Sequence, residues 1–200
     1  PDIGAVQMIK VAIVAHYPAA KVLPETCIKP HVRKSAKLKH PAPWVRALCR
    51  ELGAKSGIRL ELFSHNRSIT QIYREEKEGI KYNFVPKYEP ARSDPYHFYL
   101  PALLQIRPLI KQFNPDIVHG FGTESAYGLL AVSQNKPNVI FLQGIQEKNA
   151  PFYDMHKSKV AFRKALEKYV ISKVDGLIAE TNFARLWALS VFPDIKVRII

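Results

Sequence analysis

The residues most able to do chemistry lie together in Gly120-Phe121-Gly122-Thr123-Glu124-Ser125. Glu124 opens an expected helix, and two readings compete for it. A carboxylate in a first helical turn is stabilised by the helix dipole by about 0.3–1 kcal/mol. The same carboxylate at the mouth of a sheet can hydrogen-bond a polyhydroxy ligand or accept a proton. His119 ends the preceding apolar run. It is a second catalytic candidate, and equally a hydrogen-bonded core histidine. Gly120 and Gly122 have the spacing of a dinucleotide-binding turn, with Ser125 in place of the third glycine. Glu124 argues against that ligand, because its charge would repel a pyrophosphate at the helix start. The glycines serve equally well to permit a tight strand-to-helix turn. Thr123 is the expected N-cap.

Two further groups have suitable chemistry. Gln143-Gly144 offers an amide that both donates and accepts, as sugar hydroxyls do, next to an open backbone, with Glu147 close behind. His16-Tyr17 follows the first expected strand. There is no Gly-x-Ser-x-Gly elbow, no Walker A loop and no His/Asp/Glu cluster at metal-ligand spacing. No metal and no cofactor are therefore expected. Cys27 and Cys49 are too few for a disulfide framework or a four-thiol zinc site. Cys49 falls on the apolar face of a helix and reads as core.

The elements that must position these residues follow from periodicity. Met8–Ala15 is a continuous apolar, β-branched run, the pattern of a strand buried on both faces. Helical spacing covers residues 42–56, with Gly53 and Gly57 as stops. Strands are expected at Ile58–Ser64 and Ile80–Val85, with Pro86–Phe98 a loop. Leu100–Phe113 repeats apolar residues at helical spacing and stops at Asn114-Pro115-Asp116. Then follow strand Ile117–His119, helix Thr123–Asn135, strand Asn138–Leu142, helix Met155–Val174, strand Gly176–Ala179, helix Asn182–Val191 and strand Lys196–Ile200. Strands alternating with helices predict an α/β fold, a doubly wound, mostly parallel, Rossmann-like sheet. In such sheets ligands sit beyond the carboxyl ends of the strands. The candidate groups at residues 16–18, 119–125 and 143–147 all fall there.

Two hundred residues suffice for one domain with its own core. Pro1–Gln7 reads as an upstream extension or cloning remnant, with the domain spanning 8–200. The end of the sequence inside an apolar strand suggests a piece of a longer protein. No secretory signal pattern opens the chain and no run is long enough to span a bilayer, so a cytoplasmic location is expected. The unusual quantity is charge. Thirty Lys and Arg against 17 Asp and Glu give +13. Much of it lies in the loop 16–41, at Lys29, Arg33, Lys34, Lys37 and Lys39, and on a face of the 155–174 helix. An anionic acceptor or a peripheral site on an anionic membrane is expected; no nucleic-acid signature accompanies the charge.

Asn114–Val132 (NPDIVHGFGTESAYGLLAV) resembles the middle of the N-terminal domain of retaining glycosyltransferases of family 4, which have the GT-B fold. Val139–Gly144, Val174–Glu180, Lys196–Ile200 and the opening strand are similar to neighbouring strands of that domain. The resemblance runs from Met8 to Ile200 and is weakest over Ser64–Phe98. It implies the acceptor-side half of a two-domain enzyme that moves a sugar from a nucleotide-sugar donor to a glycan, lipid-linked or phosphorylated acceptor. The donor would bind a C-terminal domain beyond this sequence. Transfer would be hexosyl in type and metal-independent, and the isolated half inactive. Glu124 and His119 would be catalytic. His16, Tyr17, Gly120, Gly122, Thr123, Gln143, Gly144 and Glu147 would bind substrate. Phe121 stands where several members have a histidine, and Gln143 replaces a frequent one. The residues alone leave two other classes open: a non-catalytic nucleotide- or sugar-binding domain, and a dinucleotide-dependent oxidoreductase.

Overall fold

The computed structural model describes residues 8–30, 42–87, 99–123, 125–152 and 156–200. Its centre is β1 (Ile9–Val14), where Ala12, Ile13 and Val14 are fully buried. Alternate residues of a strand face opposite ways. Ala12 and Val14 therefore enter one core, and Val11 and Ile13 enter another on the opposite face.

Around β1 lies a sheet of eight strands among the described residues, in the order β3-β4-β2-β1-β5-β6-β7-β8. They are β2 (Ile58–Asn66), β3 (Tyr73–Lys77), β4 (Ile80–Pro86), β5 (Ile117–Phe121), β6 (Asn138–Leu142), β7 (Gly176–Ala179) and β8 (Val197–Ile199). All pair in parallel except β3 with β4. The first core lies under α2 (Leu100–Phe113), α3 (Ala126–Val132), α5 (Lys157–Ile171) and α6 (Asn182–Val191). The second lies under α1 (Pro43–Gly53) and the turns that follow β1. A one-turn helix, α4 (Gln146–Asn149), follows β6. The Rossmann-like class is thus what the alternation predicted. Strand order reverses between β1 and β5, which opens a crevice at their carboxyl ends.

Two aspartates tie the lower ends of the strands. Asp116 accepts the Lys10 N–H at 2.8 Å, joining the approach to β5 to β1. Asp175 accepts the Asn138 N–H at 2.9 Å, joining the approach to β7 to β6. Asn114 ends α2 in the left-handed region (φ 52) and returns its N–H to the Ile110 carbonyl at 3.0 Å.

Several boundaries differ from the sequence reading. The helices expected over 42–56 and 155–174 close to Pro43–Gly53 and Lys157–Ile171. Strand β3 was unread, because Tyr-Arg-Glu-Glu-Lys lacks apolar alternation; it is a charged, exposed edge strand. Glu78 (φ 55) and Gly79 (φ 73) turn it into β4, and two positive φ values in a two-residue loop define a type I′ hairpin. Thr123 is not the N-cap of α3. That position belongs to Ser125, and the Thr123 hydroxyl is engaged elsewhere. The loop Pro86–Phe98 lies mostly outside the described residues, as do Pro1–Gln7. Among the described residues no helix is long and apolar enough to cross a membrane.

Candidate functional site

A cavity of about 510 Å³ opens at the carboxyl ends of β1, β2 and β4. Its lining includes the apolar Ala19, Leu23 and Ile28, and the polar His65, Asn66, Arg67, Ser68 and Lys87. His16, Lys21, Glu25 and Tyr127 complete much of the rim.

Its floor is cross-laced by hydrogen bonds between the segments that leave β1 and β2. Tyr17 N–H donates to Ser64 Oγ at 3.0 Å, and Asn66 Nδ2 returns a bond to the Tyr17 carbonyl at 2.8 Å. The Ser68 N–H (2.9 Å) and the Ser68 hydroxyl both donate to Asn66 Oδ1. Tyr127 reaches from α3 to donate its hydroxyl to the His65 carbonyl at 3.1 Å. His65 Nε2 lies 3.0 Å from the Pro86 carbonyl. A carbonyl only accepts, so this nitrogen carries a proton. These groups are fixed before any ligand arrives, which lowers the ordering cost of binding.

A second arrangement lies beneath the turns after β5 and β6. Glu167 of α5 is 1% exposed. Its carboxylate accepts the Thr123 hydroxyl at 2.9 Å and the Gln146 N–H at 3.0 Å from each oxygen. One buried carboxyl group therefore holds both turns. The glycines there answer to packing. Gly122 has φ 81, a conformation side chains rarely adopt. A Cβ on Gly120 would stand 3.0 Å from Ala131 Cβ and 3.2 Å from the Tyr127 carbonyl oxygen of α3. A Cβ on Gly128 would lie 2.8 Å from the Gly122 carbonyl oxygen. Helix α3 thus approaches β5 too closely for side chains at these positions.

A family model for Glycosyltransferase Family 4 matches residues 43–200. The chain belongs to that family. Its fold is that of an N-terminal GT-B domain. Among solved structures it is similar to sucrose-phosphate synthase from Thermosynechococcus elongatus, with a TM-score of 0.64 at 13% identity over 96% of this chain and 47% of that one. It is also similar to UDP-N-acetylglucosamine 2-epimerase, with a TM-score of 0.61 at 16% identity over 96% of this chain and 48% of that one. A third similar structure is the E. coli trehalose-6-phosphate protein bound with UDP-2-fluoro glucose, with a TM-score of 0.51 at 11% identity over 95% and 48% of the two chains. At these identities the likeness is one of fold. The chain spans about half the length of these structures. No curated protein matches the sequence closely enough to count.

Within this family 4 domain the expected site residues scatter over three environments. His16 lines the cavity, half-buried. Tyr17 turns its ring into the second core, 5.1 Å from Tyr82 and 6.3 Å from Phe84 between ring centroids, and gives the floor its backbone groups. Gly120, Gly122 and Thr123 belong to the β5 turn described above. Gln143 is exposed, and Gly144 sits half-buried near Asn149. Glu147 faces Lys168 of α5 at 4.0 Å. His119 is buried, stacked on Phe121 at 4.8 Å, with Phe121 stacked on Phe141 at 5.1 Å. Burial pushes its imidazole down to about 4, so it is neutral near pH 7, and among the described residues its Nε2 has no hydrogen-bond partner. Glu124, Arg33, Lys34, Lys37 and Lys39 lie outside the described residues; Lys29 is half-buried, its N–H bonded to the Ser68 carbonyl at 2.7 Å.

The cavity residues His65, Asn66, Arg67, Ser68 and Lys87 were missed by sequence reasoning, which ended β2 at Ser64 and β4 at Val85. The strands run to Asn66 and Pro86. The rule that ligands gather beyond strand ends would have found them with those boundaries. Among the described residues no group of three or more His, Cys, Asp or Glu is placed to hold a metal ion.

Proposed function

We propose that this chain is the acceptor-binding half of a retaining glycosyltransferase, and that the cavity at the ends of β1, β2 and β4 receives the acceptor. The observation that carries this reading is the position of that cavity. It lies at the carboxyl edge of the sheet, close to the point where strand order reverses, in a domain of family 4. Its volume is that of a site for one small molecule or one end of a larger one.

In the proposed reaction, the bond from the anomeric carbon to the donor's diphosphate breaks and a bond to an acceptor hydroxyl oxygen forms on the same face of the sugar. The hydroxyl proton passes to a base, Glu124 or an oxygen of the departing diphosphate, as the new bond forms. The donor half, a second α/β domain, is proposed to follow this chain in the whole protein; coverage of about half of each similar structure supports it. The resemblance to retaining enzymes supports hexosyl transfer from a nucleotide sugar, with basic side chains and helix N-termini facing the leaving diphosphate. Glu124, which lies outside the described residues, is proposed on the family resemblance alone to hydrogen-bond or deprotonate the acceptor. The enclosed His119 holds the stack beneath the β5 turn. The dinucleotide reading loses its motif, because packing accounts for Gly120 and Gly122.

The test is release of nucleoside diphosphate and transfer of labelled sugar by the whole protein, screened over nucleotide sugars and hydroxyl acceptors. Transfer with retained configuration is expected, with Glu124→Gln at least ten-fold slower and the 200-residue chain inactive alone. Inversion at the anomeric carbon would sink the retaining assignment. Full activity of Glu124→Gln would remove Glu124 from the site.

A further inference from the structure

We propose that the amino-terminal edge of the sheet carries a second small-molecule site, which takes a compact oxyanion with two or more negative groups through Lys10, Arg59, Arg74 and Lys81. The site lies at the opposite edge from the proposed acceptor cavity, and the inference is independent of that reading.

Its basis is strand register. Lys10, Arg59 and Lys81 are each the second residue of a strand, in β1, β2 and β4. Lys10 pairs with Arg59, Glu61 with Lys81, and Arg74 of β3 with Asn83. All six line one cavity of about 260 Å³, together with residues from the end of α2. Like charges at paired positions repel, as at Lys10 and Arg59. Glu61, 4% exposed, is the one acid of the lining, and it is shared. Arg59 and Lys81 each stand 3.7 Å from its Oε1, and Asn83 Nδ2 donates to its Oε2 at 3.1 Å. Among the described residues no acid stands within ion-pair distance of the Lys10 ammonium or the Arg74 guanidinium. The carboxyl end of α2 adds about half a negative charge. Four cations exceed these by about two positive charges.

That excess sets the valence of the ligand, and the lining sets its size and polarity. Leu109 and Phe113 are the apolar members of the lining, and the Arg59 guanidinium lies over the Phe113 ring, 5.8 Å from its centroid. This stack holds the guanidinium in place. With five N–H donors, it keeps some for an oxyanion beside its contact with Glu61. An acyl chain or a nucleobase meets little apolar surface here, and the volume is below that of an ordinary cofactor site. A small polycarboxylate or a pyrophosphate-sized ion matches both charge and volume. Such a ligand bridges β1, β2, β3 and β4, so its binding stabilises the folded domain.

The experiment is isothermal titration of the purified chain with citrate, pyrophosphate and acetate, at constant ionic strength so that screening is the same throughout. Citrate or pyrophosphate is expected to bind at least ten-fold tighter than acetate, and the tighter of the two names a carboxylate or a phosphate ligand. The double variant Lys10→Ala/Arg74→Ala removes the two cations that Glu61 does not engage, and should weaken binding at least ten-fold. Glu61→Gln removes the opposing charge and should tighten binding at least three-fold, a gain that a purely structural cluster would not give. Lys21→Ala, in the cavity at the carboxyl edge, should leave the affinity unchanged. Circular dichroism checks the fold, and Lys10→Ala alone, expected to bind at least three-fold more weakly, replaces the double variant if that one unfolds. Equal affinity for acetate, no binding of either polyanion, parental binding by the folded cation variant, or a loss on Lys21→Ala in its place overturns the proposal.

Discussion

Removing the Glu167 carboxylate is the most informative perturbation of the scaffold. Glu167→Ala strands two buried donors, the Thr123 hydroxyl and the Gln146 N–H, in surroundings where Thr123 is 0% and Gln146 is 2% exposed. A buried donor left unsatisfied costs about 1–3 kcal/mol, and bonds to a charged acceptor sit at the upper end. The cavity left by the side chain adds to this. The expected loss is about 3–5 kcal/mol, and a chain of this size loses about 2–4 °C in Tm per kcal/mol. Thermal unfolding followed by circular dichroism should therefore fall by about 10 °C. Thr123→Val removes one donor and should cost about 1–2 kcal/mol. Because both changes act on one hydrogen bond, the double variant Thr123→Val/Glu167→Ala should be less destabilised than the sum of the two single variants. A Glu167→Ala melting point within about 2 °C of the parent, or strict additivity of the pair, would refute the view that one buried side chain anchors both turns.

Two further outcomes follow from burial. His119 has a folded value of about 4 against an ordinary 6.5, so between those pH values the unfolded chain binds the extra proton. Stability should fall as pH drops through that window, by up to about 3 kcal/mol from this group, and urea titrations of His119→Phe should lack that part of the acid sensitivity. Unchanged acid sensitivity in the variant would remove the assignment. Burial likewise pushes the Cys49 thiol up to about 12, whereas Cys27 is half-buried. Alkylation at pH 8, read by mass spectrometry, should label Cys27 at least 100-fold faster, since the thiolate is the nucleophile; comparable rates would contradict the enclosed position of Cys49.

The alternation of strands and helices was legible because doubly buried strands must be apolar throughout. Val-Ala-Ile-Val in β1 and Val-Ile-Phe-Leu in β6 leave no other reading. Strand β3 was illegible for the opposite reason. It lies at the edge, with most of its residues in water, so its order comes from pairing with β4 and carries no apolar signature. His16 lines the cavity, because it directly follows a strand that pattern identifies. Tyr17 shows the limit of that logic. It is adjacent in sequence, yet its ring enters the core against Tyr82 and Phe84. Glu167 gave no sign of its role. It sits among lysines on a helix whose sequence reads as a solvated face, and its two partners lie 44 and 21 residues away.

By itself, the sequence determined the layer architecture and the family. These are properties of local periodicity and of motifs contiguous along the chain. Only the tertiary structure decided which residues meet at the carboxyl edge of the sheet. The pairing of β2 with β4 sets Asn66 beside Pro86, the reach of Tyr127 fixes the end of β2, and the burial of Glu167 holds the turns after β5 and β6. Each depends on contacts between distant segments, whose register and depth are set by how the two cores pack.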